Sequence, residues 1–388
     1  MNVVHVVESL AVGGLERVVL SLAAWQNRRG DASQIVCLFE AGALATEARA
    51  QGIVVTVIGK SPGFDLRALL CLRAALRTSG ADVLHTHNAV AHYYAVAAAV
   101  GLGIKYVVNT RHGMGSFRGA SRLDWMYRAA MLRTDTAVSV CRAGREHFVR
   151  VGVIPHAKAE VVPNGVPIEG IEARSHQAKE QLLSRLGRPS ASFVVGTVGR
   201  LSPVKDHATL LKAIHQLRVS GRPVELLVVG DGESRALLEA LSKVLELEEC
   251  VHFLGMRDDV AALLPTFDAF ALSSISEGYS LALVEAAAAA LPIVATRVGG
   301  NSDIVEEGAT GLLVPAHDAS AFAAALAGVV DDASMRERMG RAGRQWALEH
   351  GTVGAMGLAY LALYKGPSTS GGEMRHASQA PTAPAGKA

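Results

Sequence analysis

Two glutamates bracket a segment where a glycine-containing loop runs into an alanine-rich helical pattern: Ser273-Ser274-Ile275-Ser276-Glu277-Gly278-Tyr279-Ser280-Leu281-Ala282-Leu283-Val284-Glu285-Ala286. An apolar run ending near Leu272 reads as a strand, and the helix pattern starts near Ser280. The backbone N–H groups of Gly278, Tyr279, Ser280 and Leu281 then project from a helix start, where unpaired donors and the helix dipole suit phosphate. Glu285 falls about one and a half turns into that helix, roughly 8 Å along its axis. One carboxylate can bind hydroxyls on one side of a diphosphate, and the other can bind hydroxyls on the far side. The same spacing fits a capping glutamate and a solvated helical glutamate, and spacing alone leaves the two readings level.

A second candidate is Val198-Gly199-Arg200-Leu201-Ser202-Pro203-Val204-Lys205-Asp206, at the end of the apolar run Phe193–Val198. Arg200 and Lys205 place two cations on one loop at a strand's carboxyl end. Such a pair can neutralise a departing diphosphate; an exposed basic loop is the plainer alternative. Near the start, Ala11-Val12-Gly13-Gly14-Leu15-Glu16-Arg17 offers a glycine pair that lets backbone approach a ligand closely. It lacks the full G-x-G-x-x-G of a dinucleotide site. Histidines gather in the same half: His85 and His87 alternate onto one strand face, with His92 and His112 beyond. No Asp, Glu or Cys joins them in sequence, so metal ligation is not expected. For His112, a buried hydrogen-bonded histidine is the alternative to a ligand contact.

These residues need a scaffold, and the apolar pattern supplies one. Short β-branched runs at Asn2–Val7, Gln34–Phe39, Val54–Ile58, Val83–Thr86, Tyr106–Thr110 and Ala137–Val140 alternate with amphipathic stretches such as Leu15–Arg28 and Leu66–Thr78. The alternation predicts an α/β fold, a parallel sheet covered by helices on both faces. It pauses at Val161-Val162-Pro163-Asn164-Gly165-Val166-Pro167, after which Ile168–Ser190 is polar and less regular. A second series follows: Phe193–Val198, Glu225–Val229, Val251–Leu254, Ala269–Leu272, Ile293–Ala295 and Gly311–Val314. Two Rossmann-like domains are therefore expected, over residues 1–166 and 167–350, with ligands at the carboxyl ends of their strands. Residues 351–365 read as a C-terminal helix, and 366–388, rich in Gly, Pro, Ser, Thr and Ala, as a disordered tail.

With this scaffold in place, Glu277, seven residues and Glu285, set in S-x-x-E-G-Y-S-L-x-L-V-E-A, resemble the E-x7-E motif of retaining GT-B glycosyltransferases, family four in particular. Gly199-Arg200-Leu201 with Lys205, the segment Pro163-Asn164-Gly165-Val166, and Val298-Gly299-Gly300-Asn301 with Gly308 and Gly311-Leu312-Leu313-Val314 are similar to the family's other motifs. The resemblance spans nearly the whole chain. It implies two Rossmann-like domains facing a central cleft, with the C-terminal helix crossing back to the first. It implies that Glu277 contacts donor-sugar hydroxyls, Gly278–Leu281 bind the diphosphate and Glu285 holds the ribose. Arg200 and Lys205 would stabilise the leaving diphosphate, while Gly13, Gly14 and His112 approach the donor from the opposite wall. The implied activity moves a sugar from a UDP- or GDP-sugar to a glycan or lipid-linked acceptor, with retention of configuration and no metal or cofactor. Bacterial exopolysaccharide or cell-surface polysaccharide synthesis is the family's commonest setting. A GT-B epimerase and an NAD-dependent oxidoreductase remain as rivals, the latter weakened by the incomplete glycine spacing.

Bulk properties bound these readings. The 388 residues suit two domains of roughly 150–200, and a net charge of +2 argues against a dedicated nucleic-acid binder. Cys37, Cys71, Cys141 and Cys250 are scattered in apolar contexts and read as reduced core thiols. The opening Met1–Glu8 reads as a strand, not a signal peptide, and no apolar window reaches the roughly 18 residues of a membrane span. A cytoplasmic protein is expected, at most peripheral on the inner face of the plasma membrane. Residues 105–150 are locally basic, with Arg118, Arg122, Trp125, Met126 and Arg133 on or near one amphipathic helix. That face suits an anionic membrane surface or a diphosphate-lipid acceptor, or it is a solvated helix face.

Overall fold

A computed structural model describes residues 1–115 and 122–365 of the chain. The first sheet has seven strands: β1 (Asn2–Ser9), β2 (Ala32–Glu40), β3 (Val54–Val57), β4 (Val83–His87), β5 (Tyr106–Arg111), β6 (Thr136–Ser139) and β7 (Ala159–Val161). The second has six: β8 (Phe193–Val198), β9 (Val224–Val229), β10 (Val251–Gly255), β11 (Ala269–Leu272), β12 (Ile293–Thr296) and β13 (Gly311–Val314). Every pairing is parallel, in the orders β3-β2-β1-β4-β5-β6-β7 and β10-β9-β8-β11-β12-β13. Strands β4 and β9 are buried along their whole length, as parallel strands covered on both faces must be.

The strand order reverses between β1 and β4 and again between β8 and β11. Loops leaving neighbouring strands diverge at such a reversal and open a crevice. The Gly13–Gly14 loop follows β1, the Arg200–Lys205 loop follows β8 and the Glu277 loop follows β11. All three thus open at a crevice, and the crevices face each other. Gly14 lies against the Leu281 side chain, and Arg142 of the first half pairs with Asp303 of the second at 2.7 Å.

The first half captures the chain's last described helix, Val353–Leu363. Val353, Met356, Tyr360 and Tyr364 share a core with Val3, Val18, Leu22 and Val83. The two strands of chain that pass between the halves run side by side, with Val166 N–H donating to Gly351 O at 2.9 Å.

Three expectations change. The pause at Val161 is preceded by a short edge strand, β7, whose three residues are too few to show alternation. The polar stretch after Ile168 contains the helix His176–Arg185, started by Ser175 Oγ accepting from Ala178 N–H. Its one fully buried residue, Leu183, leaves almost no apolar stripe to read. Cys71 is exposed on the helix Leu66–Ser79, whereas Cys37, Cys141 and Cys250 are buried. The expected tail at 366–388 and Arg118 lie outside the described residues.

Docking of the last helix depends on close approach. A Cβ on Gly357 would sit 2.4 Å from the Trp25 ring, whereas one on Gly354 would meet nothing closer than 3.6 Å. Gly357→Val is expected to destabilise by about 1–3 kcal/mol through overpacking. Gly354→Ala is expected to match or slightly exceed the wild type. Thermal unfolding of both variants checks this, and equal midpoints would contradict the packing described.

Candidate functional site

The Glu277 loop is held by side chains on both sides of it. Ser273 Oγ donates to the carbonyls of Lys205 and Asp206 at 3.1 and 2.9 Å, and Ser274 Oγ donates to Glu277 Oε1 at 2.6 Å. Ile275 N–H donates to Val204 O at 2.8 Å. The β8 and β11 loops are thereby joined along their length. Lys205, at the end of a short 3-10 turn begun by Pro203, places its Nζ 2.6 Å from Glu277 Oε1. Glu277 is buried, Lys205 partly so and Arg200 exposed on the same loop.

Glycines let three backbone segments converge here. A Cβ on Gly299, which adopts φ +49, would strike the Glu277 carbonyl, and one on Gly278 would lie 2.3 Å from the His112 carbonyl. Only glycine fits the first position, and the second brings the two halves into backbone contact.

The helix Leu281–Ala288 starts immediately after. Its N-cap, Ser280, is extended, and the side chain makes no capping hydrogen bond among the described residues. The first-turn N–H groups therefore keep their capacity for an anion. Tyr279 is buried beside them. Glu285 lies one turn further, and burial pushes its carboxyl up to about 7, against the pull of Arg17 from the opposite wall.

The cleft encloses about 830 Å³, lined by Gly13, Gly14, His112, Arg200, Lys205 and Glu277 among others, and by the whole Gly278–Leu281 segment and Glu285. This volume suits a nucleotide-sized ligand. A hollow of about 550 Å³ continues it and shares Arg17, Leu281 and Glu285. Every residue assigned from sequence to the donor site thus lines one cavity, whereas His85, His87 and His92 do not. Sequence reading assigned no role to Arg17, on the helix that follows the Gly13–Gly14 pair, and passed over Asp231, Met256 and Arg257, all of which line the same cavity. The position of Met256 and Arg257 directly after a strand was the one available signal.

His112 follows β5, and its Nε2 lies 3.0 Å from His87 Nδ1. Burial, reinforced by Arg111, lowers His112 to about 3, so the ring is neutral. His85 and His87 do share a face, and the structure adds His5 from β1; ring nitrogens of the three come within 4.8 Å of one another. All six of their ring nitrogens already have hydrogen-bond partners: Gln26 and His87 for His5, Thr110 and Tyr364 for His85, His5 and His112 for His87. His92 is a core residue outside the cleft, bonded to Thr86 and Thr134.

The basic segment divides. Arg111 is buried over the Tyr127 and Phe148 rings, Arg142 pairs with Asp303, and Arg145 donates to Ala159 O at 2.8 Å. The helix covers Arg122–Met131, with Met126 turned toward the core. Trp125 is 71% exposed and Leu132 82%, beside exposed Arg128 and Arg133.

Known proteins share this organisation. The family model described as glycosyltransferase family 4 matches residues 12–169, and that of glycosyl transferases group 1 matches residues 178–346. The chain is 28% identical to an Escherichia coli UDP-Gal:alpha-D-GlcNAc-diphosphoundecaprenol alpha-1,3-galactosyltransferase, over 69% of this chain and 71% of that protein. It is also 28% identical to the putative glycosyltransferase EpsF of Bacillus subtilis (strain 168), over 76% and 78% respectively. The fold is that of Anabaena Alr3699/HepE, solved with UDP, at a TM-score of 0.83 and 22% identity over 93% of this chain and 99% of that one. With the two family models matching residues 12–169 and 178–346 in turn and the likeness running through most of its length, this chain belongs to the family 4 glycosyltransferases and is an enzyme of the GT-B fold.

Proposed function

We propose that the enzyme transfers a sugar from a nucleoside-diphosphate donor to a glycan or lipid-linked acceptor, with retention of configuration. The observation that carries this reading is the convergence of Lys205, Glu277, an uncapped helix start and Glu285 on one wall, facing Gly14 and His112 on the other. The diphosphate would lie on the Gly278–Leu281 amides, with the sugar toward Glu277 and the ribose toward Glu285. The bound diphosphate would compete with Glu277 for Lys205, leaving the carboxylate to accept from sugar hydroxyls. Lys205 and Arg200 would then neutralise charge on the leaving group as the glycosidic bond breaks. The acceptor hydroxyl attacks from the face the diphosphate leaves, and a diphosphate oxygen takes its proton. UDP is favoured over GDP because a relative's name contains UDP-Gal and a structural neighbour was solved with UDP.

The reaction is read as metal-free: a cation among His5, His85 and His87 would have to displace short buried hydrogen bonds. The setting proposed is bacterial exopolysaccharide or surface-polysaccharide assembly at the inner face of the plasma membrane. Support comes from the diphosphoundecaprenol in the Escherichia coli relative's name and from the exposed Trp125 and Leu132 flanked by arginines. No helix among the described residues is long and apolar enough to cross a membrane.

Lys205→Ala and Glu277→Ala are expected to lower turnover by at least about 10²–10³-fold with circular dichroism unchanged. Full activity in both variants overturns the site. Glu285 tests the ribose position and carries a pH signature. Its folded-state pKa of about 7 exceeds the ordinary 4.5, so wild-type stability falls as pH rises from 4.5 through about 7. Glu285→Gln should remove that loss, giving a thermal midpoint that gains on the wild type across this window while donor affinity drops. Parallel pH profiles would show Glu285 not to be buried as described. Trp125→Ser with Leu132→Ser should reduce co-sedimentation with anionic phospholipid vesicles, and binding equal to wild type removes this face from the membrane.

A further inference from the structure

A chain of buried side chains runs beneath His112. Gln26, on the helix Gly14–Arg28, places its side-chain oxygen 2.8 Å from His5 Nε2 and its amide nitrogen 3.5 Å from the Tyr364 hydroxyl. His5 Nδ1 lies 3.1 Å from His87 Nε2, and His87 Nδ1 lies 3.0 Å from His112 Nε2. Gln26, His5 and His87 are all buried, at 0%, 0% and 1% exposure. Burial lowers the pKa of all three rings, leaving each neutral.

A neutral imidazole has one N–H and one lone pair. A chain of such rings can therefore run in only two senses, and the group at its end selects between them. The Gln26 oxygen can only accept, so His5 carries its proton on Nε2 and accepts at Nδ1. His87 must then donate from Nε2 and accept at Nδ1. His112 in turn donates from Nε2, which leaves its Nδ1 a bare acceptor. That atom is buried and has no hydrogen-bond partner among the described residues, although His112 lines the cleft beside Glu277 and Gly278. The second branch agrees: Tyr364 accepts from Gln26 and donates to His85 Nδ1 at 2.6 Å, and His85 Nε2 donates to Thr110 Oγ1 at 2.8 Å.

We propose that Gln26 is a positioning residue which, through His5 and His87, fixes His112 as the Nε2–H tautomer, so that its Nδ1 accepts a hydrogen bond from one hydroxyl of the donor sugar. This rests on the donor-site reading given above. It assigns polarity to the sugar pocket: that position takes a hydroxyl and discriminates against a substituent that cannot donate. An unmet buried acceptor is unfavourable enough for about a tenfold preference or more.

The test has two arms on the full chain. Long-range ¹H–¹⁵N correlation spectra of protein labelled with ¹⁵N-histidine, without ligand, report each tautomer; His112→Asn assigns the signal. The expected result is a His112 protonated at Nε2 only. A His112 protonated at Nδ1, which a reversed Gln26 amide would impose, overturns the proposal. Gln26→Met removes the selecting oxygen and should populate the second tautomer; an unchanged single tautomer also overturns it. The wild-type spectrum decides the matter even if that variant fails to fold. In the second arm, donor UDP-sugars carry fluorine in place of each hydroxyl in turn. One position should lose about tenfold or more in kcat/KM in the wild type, and that ratio should shrink in Gln26→Met. Equal ratios in both proteins refute the sugar contact. A chain that turns over no nucleotide sugar would sink the donor-site reading, while the spectra would still report on the tautomer.

Discussion

The ammonium of Lys205 against the carboxylate of Glu277, at 2.6 Å, is the contact on which one wall of the cleft depends. It spans the reversal point of the second sheet and ties together loops from adjacent strands, β8 and β11. Neither partner relies on the other alone: Ser274 holds the carboxylate, and Ser273 holds the backbone of Lys205. A partly buried ion pair is tolerable only while both charges are satisfied. In the proposed reaction each charge meets a better-suited group, phosphate for the ammonium and hydroxyls for the carboxylate. Cation and anion are thus already held at neighbouring points, and little reorganisation is needed when charge develops.

The facing wall follows the opposite rule. Its histidines are buried and neutral, and its buried arginine, Arg111, is stacked on aromatic rings rather than aimed into the cleft. Lys205, Arg200 and Arg257 bring positive charge to the cleft from the second half, and Arg17 alone among the lining cations reaches it from the facing wall. The second-half wall carries most of the charge, and the histidines of the facing wall supply shape and hydrogen-bond polarity.

How much of this was legible depended on whether the signal was local. Phe193–Val198, Ala269–Leu272 and Gly311–Val314 were bounded by sequence alone, because each is an apolar run enclosed by polar or glycine-rich turns. The glutamate and cation loops were legible for the same reason: their residues act within one short segment. β7 was not, since three residues carry no period. His5 was hidden in the apolar first strand, and its partners Gln26 and His87 lie on other elements, 21 and 82 residues away. Counting arginines overstated the basic surface, because Arg111, Arg142 and Arg145 are spent on rings, a carboxylate and a carbonyl. Glycine spacing named Gly299 without its purpose, which appears only when the Glu277 carbonyl is seen against it.

The side-by-side passage of the chain at Val166 and Thr352 has a topological consequence. Both the opening strand β1 and the last described helix pack on the first sheet, so the second sheet is an insert within the first half. Its entry and exit are adjacent, paired through Val166 and Gly351. An insert anchored at one point can pivot there without stretching either connection. It can also be exchanged as a cassette: a different nucleotide-binding half, grafted at that point, would meet the first half mainly where Val140, Cys141 and Leu281 pack across the cleft floor. Donor and acceptor preferences can then evolve as separate modules on a shared pivot.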